Sequence, residues 1–271
     1  MKKRKVIFVF IFICCIISLL WGSKKINDYY SWADEKTTTF PPDRIQSNDT
    51  LRVIMIGDSW AAFHHNNDTI LSTLLQNKLR KPISVISSGM VGAKTKTIYE
   101  LMFDTISSCG TQKLLKQHPD YCIISTGIND AIAKLGVQNY CFHYDLIINN
   151  LLSLGITPIV IDMPDVDYKA VYQKESIIAN IRHKISSWIT NSPMWTFDNY
   201  RKALYANISK EGLKYHIIYV PSTEWNPKGY EDPRIIYLED HIHLNQKGYY
   251  LLDSCLASYI QHDYMLIHDS Q

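Results

Sequence analysis

Three regimes of hydrophobic patterning follow one another along the chain. The first is an almost unbroken apolar run from Val6 to Trp21, preceded by Lys2, Lys3, Arg4 and Lys5. At about 1.5 Å per residue such a run spans roughly 24 Å as a helix, slightly less than a hydrocarbon core of roughly 30 Å. Trp21 and the flanking lysines suit the two interfaces. The pattern predicts an N-terminal transmembrane helix, with residues 1–25 as a membrane anchor. The alternative is a cleaved signal peptide, for which Leu20-Trp21-Gly22-Ser23 is a poor cleavage site. More basic residues precede the run than follow it, which puts the N-terminus in the cytoplasm and everything from residue 26 outside the membrane; cleavage would make the chain secreted. Ile13 stands where a small residue would precede a lipidated cysteine, so Cys14 and Cys15 read as apolar residues within the membrane.

The second regime, residues 26–50, is polar, carries Thr37-Thr38-Thr39 and Pro41-Pro42, and has no apolar periodicity longer than a turn. It reads as a linker. In the third, residues 51–271, short β-branched runs alternate with longer mixed segments. Arg52–Ile56, Ile83–Ile86, Tyr121–Ser125, Thr157–Ile161 and Tyr215–Val220 are the predicted strands. Helical spacing joins Ile70, Leu71, Leu74, Leu75 and Leu79, and again Leu146, Ile147, Asn150, Leu151 and Leu154, where Gly155 signals a C-cap. Further helices are predicted over Thr97–Ile106, Glu175–Trp188, Asp198–Ile208 and Asn245–Ile260. Strands alternating with helices in this way specify an α/β domain built on a five-stranded parallel sheet covered on both faces.

Composition narrows this picture little. With 46% hydrophobic and 20% charged residues among 271, the chain suits one α/β domain plus an appendage. Charge is more informative once divided. The formal +2 includes six basic residues and no acid in the first 25, which leaves 22 basic against 26 acidic and a net of −4 for the remainder. A body of that sign, without a basic run after Lys25, argues against nucleic acid as a partner. Cys109, Cys122, Cys141 and Cys255 would lie in an oxidising compartment; Cys122 reads as a buried hydrophobe and Cys109 with Cys141 as a candidate disulfide. The cysteines have no CxxC or zinc-ligand spacing.

In a parallel sheet, ligands gather at the carboxyl ends of the strands. After the first predicted strand comes Gly57-Asp58-Ser59-Trp60, which puts a serine hydroxyl on a strand-to-helix turn whose first N–H groups lack helical partners. After the second comes Ser87-Ser88-Gly89-Met90-Val91-Gly92, a loop whose glycines let backbone N–H groups approach a ligand. After the third comes Gly127-Ile128-Asn129-Asp130, where an amide can donate to an oxyanion or cap a helix. Near the C-terminus, Asp240 and His243 stand three apart, a spacing that lets a carboxylate orient an imidazole while the other ring nitrogen meets a serine. A metal bound by Asp240, His241 and His243 is the competing reading, and one short loop seldom completes such a site. Taken singly, each motif is a turn, loop or cap.

Taken together and in this order, they resemble the SGNH hydrolases, the GDSL esterase/lipase superfamily. Gly57-Asp58-Ser59 matches the first block, Gly127-Ile128-Asn129-Asp130 the third and Asp240-His241-Ile242-His243 the fifth; Leu244 to Tyr249 resembles the family's continuation into the last helix. The likeness covers residues 51–260. Two departures stand out. Ser87 or Ser88 replaces the usual Asn ahead of the oxyanion glycine, for which spacing favours Gly92, and Trp60 replaces the motif's leucine, a change expected to narrow the pocket mouth.

The resemblance implies a flavodoxin-like three-layer α/β/α sandwich with Ser59 as nucleophile, His243 as base and Asp240 as its orienting carboxylate. It further implies an oxyanion hole from Ser59, Gly92 and Asn129, and no metal or cofactor. His241, two residues from His243, would point the other way. His64 and His65 follow the nucleophile, either lining the pocket or facing solvent. Trp195, Trp225 and Tyr230 form either a sugar-stacking lip or packing anchors. The expected function is a membrane-anchored, extracytoplasmic serine esterase acting on an O-acyl, foremost O-acetyl, ester of a carbohydrate or other small envelope substrate. An O-acyltransferase, a lipid-ester or thioester hydrolase, and a non-catalytic glycan-binding protein are the alternatives.

Overall fold

The basic start and the apolar run form a single helix, α1 (Lys2–Tyr30), in a computed structural model that describes residues 2–36, 50–210, 213 and 216–269. Within it Val6–Lys24, at mean hydropathy 2.7, is long and apolar enough to cross a membrane, a property that an N-terminal signal sequence shares. Of the predicted linker, residues 37–49 lie outside the described residues. Residues 31–36 lie against the body: the Trp32 ring meets Phe142 edge-on at 4.4 Å, and the Ala33 N–H donates to His143 Nε2 at 3.0 Å.

The body then alternates as its hydrophobic pattern requires. In order come β1 (Leu51–Gly57), α2 (Ser59–His64), α3 (Asp68–Leu79), β2 (Ile83–Gly89), α4 (Thr95–Leu101), α5 (Gln112–Leu115) and β3 (Tyr121–Ser125). They are followed by α6 (Ile128–Ile132), α7 (Val137–Ser153), β4 (Thr157–Ile161), α8 (Tyr168–Gln173), α9 (Ile177–Thr190), α10 (Asp198–Ile208), β5 (Ile218–Val220), α11 (Ser222–Trp225) and α12 (Gln246–Asp269). All strand pairs are parallel, in the order β2-β1-β3-β4-β5. The chain turns outward in both directions from the β1/β3 boundary, the place where a doubly wound sheet opens a crevice at its carboxyl edge.

Helices α3 and α12 pack together on one face; α4, α7 and α10 cover the other. Both faces are therefore dry. Every residue of β3 is buried, and Ile123, Ile124, Ile159 and Val160 have no exposed surface at the centre of the core.

Several boundaries differ from the pattern-based expectation. Helix α4 stops at Leu101 instead of reaching Ile106, because the Asp104 carboxylate accepts the N–H groups of Ile106 and Ser107 and closes a turn there. Helix α12 runs to Asp269, nine residues further than its apolar spacing, because its outer turns still meet the body: Tyr121 Oη donates to Asp263 at 2.8 Å and Lys81 Nζ to Tyr264 Oη at 3.1 Å. The last strand begins at Ile218; Tyr215 lies outside the described residues. All six cysteines are free, so Cys109 and Cys141 are not joined, and Cys122 is buried in β3.

Candidate active site

The β1 strand delivers its motif to the β1/β3 crevice through a tight fit at its last residue. A Cβ at Gly57 would overlap the Ser125 carbonyl oxygen of β3, so only glycine lets β1 reach the turn in this register. Asp58 then caps α2, its Oδ1 accepting the Trp60 N–H at 3.0 Å. Ser59 becomes the first helical residue, with no carbonyl four residues back in the helix to take its own N–H. Its side chain is 5% exposed.

The C-terminal motif arrives from a loop clamped by the Tyr237–Leu244 bridge. Asp240 Oδ1 accepts the N–H groups of Ile242 and His243, both at 2.9 Å, which folds the loop around the carboxylate. Its Oδ2 lies 2.6 Å from His243 Nδ1, and His243 Nε2 lies 2.8 Å from Ser59 Oγ. Burial pushes the Asp240 carboxyl up, but the His243 and Ile242 N–H groups and the imidazole hold it below the ordinary carboxylate range. An ionised Asp240 fixes the proton on Nδ1 and leaves Nε2 with a lone pair facing the serine. His241 turns the other way, to Asp167 Oδ2 at 3.3 Å and onto the Tyr230 ring. Asp240, His241 and His243 therefore do not converge on one point.

Two sequence-predicted oxyanion groups come to the same crevice. Gly92 has φ of +77°, a backbone conformation that favours glycine, and sits in the loop between β2 and α4. Asn129, near the start of α6, directs its amide at the Ala93 carbonyl (3.0 Å) and at Asp58 Oδ2 (3.3 Å), joining the third motif to the second and the first. Asp130 completes this junction: its Oδ2 accepts both the N–H and the hydroxyl of Thr95 at 3.0 Å, anchoring the start of α4. Burial raises Asp58 to about 7 and Asp130 to about 6, against the hydrogen bonds that each accepts.

Two residues, Trp60 and His64, depart from their expected places, and the aromatic group of Trp195, Trp225 and Tyr230 divides. Trp60 is 2% exposed and does not narrow the mouth. Its indole N–H donates to the Ile242 carbonyl at 3.1 Å, while the Tyr249 hydroxyl donates to the Trp60 carbonyl at 3.0 Å, so Trp60 ties the serine helix to the histidine loop. His64 neither lines the pocket nor faces solvent. It is fully buried, with Nε2 at 2.7 Å from Asp253 and Nδ1 at 2.7 Å from Ser87 Oγ and 3.0 Å from Asp68. Only His65 is at the surface. Trp225 belongs to the core, whereas Trp195 and Tyr230 line a cavity of about 320 Å³ with Asp165, Asp167, Arg201 and Lys228.

The family model for the GDSL-like lipase/acylhydrolase family matches residues 55–251. Among solved structures, an acetylxylan esterase from Geobacillus stearothermophilus is 15% identical, with TM-score 0.55, over 78% of this chain and 94% of that one. A psychrotrophic esterase from a Pseudoalteromonas species is 13% identical, with TM-score 0.53, over 78% and 97%. A GDSL-like lipase from Bacteroides thetaiotaomicron is 13% identical, with TM-score 0.52, over 89% and 98%. At these identities the likeness is one of fold. No curated protein sequence matches the chain.

Proposed function

This chain belongs to the GDSL-like lipase/acylhydrolase family and is an ester-bond hydrolase, and from that premise we propose that it is a membrane-anchored serine esterase that removes small acyl groups, foremost acetyl, from carbohydrate hydroxyls outside the membrane. One observation carries the catalytic part of this reading: His243 bridges Ser59 Oγ at 2.8 Å and Asp240 at 2.6 Å.

In the first half-reaction Ser59 Oγ attacks the acyl carbonyl carbon while its proton passes to His243 Nε2, and Asp240 stabilises the imidazolium. The carbonyl oxygen takes the negative charge, facing the N–H groups of Ser59 and Gly92. Asn129 joins them as its longer hydrogen bond, to Asp58, gives way. Collapse breaks the ester C–O bond, and His243 hands the proton to the departing alkoxide. Water then attacks the acyl-serine, His243 accepts its proton and returns it to Ser59 Oγ, and the carboxylic acid leaves.

The substrate class is supported by the neighbouring cavity. Aromatic faces at Trp195 and Tyr230 beside Asp165, Asp167, Arg201 and Lys228 match the needs of a hydroxyl-rich ring, which stacks on one side and hydrogen-bonds at its rim. His241 connects that cavity to the triad loop through Asp167 and Tyr230. The candidate span at Val6–Lys24, with its basic residues ahead of it, supports the anchored, extracytoplasmic placement.

The test is turnover of p-nitrophenyl acetate, butyrate and octanoate and of an acetylated oligosaccharide by the full chain in detergent. We expect acetate to be preferred and acetate to be released from the oligosaccharide. Ser59→Ala and His243→Ala should each lower kcat by about 10³-fold or more, with KM little changed. Octanoate preference would overturn the small-acyl reading. A folded protein that neither turns over nor reacts with a fluorophosphonate would overturn the serine mechanism.

A further inference from the structure

Helix α9 is amphipathic in the inverted sense. Its body-facing side carries His183, Ser186 and Thr190, all buried, while Ile177 (80% exposed), Ile178 (78%), Ile181, Ile185 and Trp188 (84%) face outward. At about 100° per residue these five fall within an arc of roughly 100°, one continuous apolar stripe. A soluble helix buries such a stripe and leaves its serine and threonine to water. Here polar groups take the inner side instead: Thr190 Oγ1 donates to the Lys134 carbonyl at 2.9 Å, and His183 Nε2 lies 2.9 Å from Glu175. Packing against the body does not account for the isoleucines and the tryptophan outside it.

The charges of α9 and its neighbours identify what covers the stripe. The helix contains no acidic residue, and Arg182 and Lys184, both exposed, border the stripe on its two sides. That is the composition of a helix lying in a bilayer interface, apolar below and basic at the headgroup level. The second observation is position. The outer end of the candidate span packs against α9: Trp21 and Lys24 of α1 share with Lys94, Lys96, Arg182 and Ser186 a cavity of about 410 Å³. Trp21 and Lys24 are the residue types that mark the interface at the end of a span, so α9 stands at that depth.

We infer that the α9 stripe rests on the outer surface of the bilayer that α1 crosses, its isoleucines and Trp188 inserted among lipid chains and Arg182 and Lys184 among anionic headgroups. The inference rests on α1 being retained as a span. It adds a second, monotopic contact made by the hydrolase domain itself. Because α9 packs on segments that follow β2 and β3, it lies at the carboxyl edge of the sheet. The contact therefore holds the active-site end of the domain close to the membrane and favours acylated substrates held at its surface.

The full chain, reconstituted into vesicles of phosphatidylcholine and phosphatidylglycerol brominated along the acyl chains, tests this. The Trp188 signal is the emission difference between wild type and Trp188→Phe, and the Trp21 signal the difference from Trp21→Phe. Lipid contact predicts that brominated lipid lowers the Trp188 signal by about twofold or more, and that Ile181→Glu with Ile185→Glu abolishes this quenching without loss of helical circular dichroism. Quenched Trp21 beside unquenched Trp188 would overturn the inference and leave the anchor standing. Release of the protein by alkaline carbonate with neither residue quenched would remove the anchor and, with it, the premise. Unquenched Trp188 in a chain that is dimeric in detergent, and monomeric once the two glutamates are present, would assign the stripe to a second copy.

Discussion

Trp60 performs two tasks that a leucine at its position cannot. It fills the core against Trp225, and its indole N–H holds the carbonyl of Ile242, one residue before His243. This cross-link joins the residue after Ser59 to the residue before His243. Trp60→Phe keeps the packing and loses the hydrogen bond, so kcat should fall about tenfold with KM unchanged, because displacing His243, the base of the proposed mechanism, costs rate more than binding. Steady-state kinetics on p-nitrophenyl acetate would check it. His64 is the second residue whose role shows only in three dimensions. Burial alone would lower its pKa, but Asp253 and Asp68 raise it to about 9. A histidine raised from 6.5 in this way contributes stability that is complete below pH 6.5 and is lost as pH rises through about 9. The urea midpoint of the wild type should fall across that window. His64→Leu leaves Asp253 buried without a cation and should cost about 3–5 kcal/mol at pH 7, with a weakened pH dependence above it.

At the scale of elements, legibility followed from how local each cause is. Strands β3 and β4 are bounded by sequence alone, since four or five consecutive apolar or β-branched residues between turn signals leave one assignment for a doubly buried strand. The first and third motifs were legible for the same reason: each immediately follows its strand. Ends set by distant contacts were not. The continuation of α12 depends on Tyr121 and Lys81, and the early stop of α4 depends on a side chain beyond its end, Asp104. The helical pattern over Glu175–Trp188 was visible, but which side faces the body was not, because apolar spacing alone assigns the isoleucines inward. They face outward because Thr190, whose hydroxyl reaches the Lys134 carbonyl, and His183, which lies against Glu175, take the body side. In the candidate site, Asp130 and Trp60 are the counterpart. Both stand within recognised motifs, and nothing in a linear pattern indicates that one anchors Thr95 and the other Ile242.

For the whole molecule, the question is how firmly the domain is held against α1. Six residues after the helix answer it. Lys96 Nζ donates to Ser31 Oγ at 2.7 Å, Trp32 packs on Phe142, Ala33 N–H donates to His143, and Lys36 N–H donates to Tyr99 Oη at 2.6 Å. The His143 contact requires a neutral imidazole, with Nδ1 donating to the Asn139 carbonyl and Nε2 accepting. Burial lowers its pKa to about 4, so the contact is complete above pH 6.5 and is lost as pH falls through about 4. A chain held at residues 31–36 cannot swing freely about the end of α1, and this restraint keeps α9 at interface depth. Trp32 is the largest side chain in the clasp. Trp32→Ala should release the segment and speed trypsin cleavage after Lys36 about tenfold in vesicle-bound protein, the scale expected when roughly 1.4 kcal/mol of local protection is removed. Turnover of the soluble ester p-nitrophenyl acetate should stay unchanged, because none of these contacts touches Ser59, His243 or Asp240. A drop in that turnover would instead couple the clasp to the triad through α4 and the Gly92 loop.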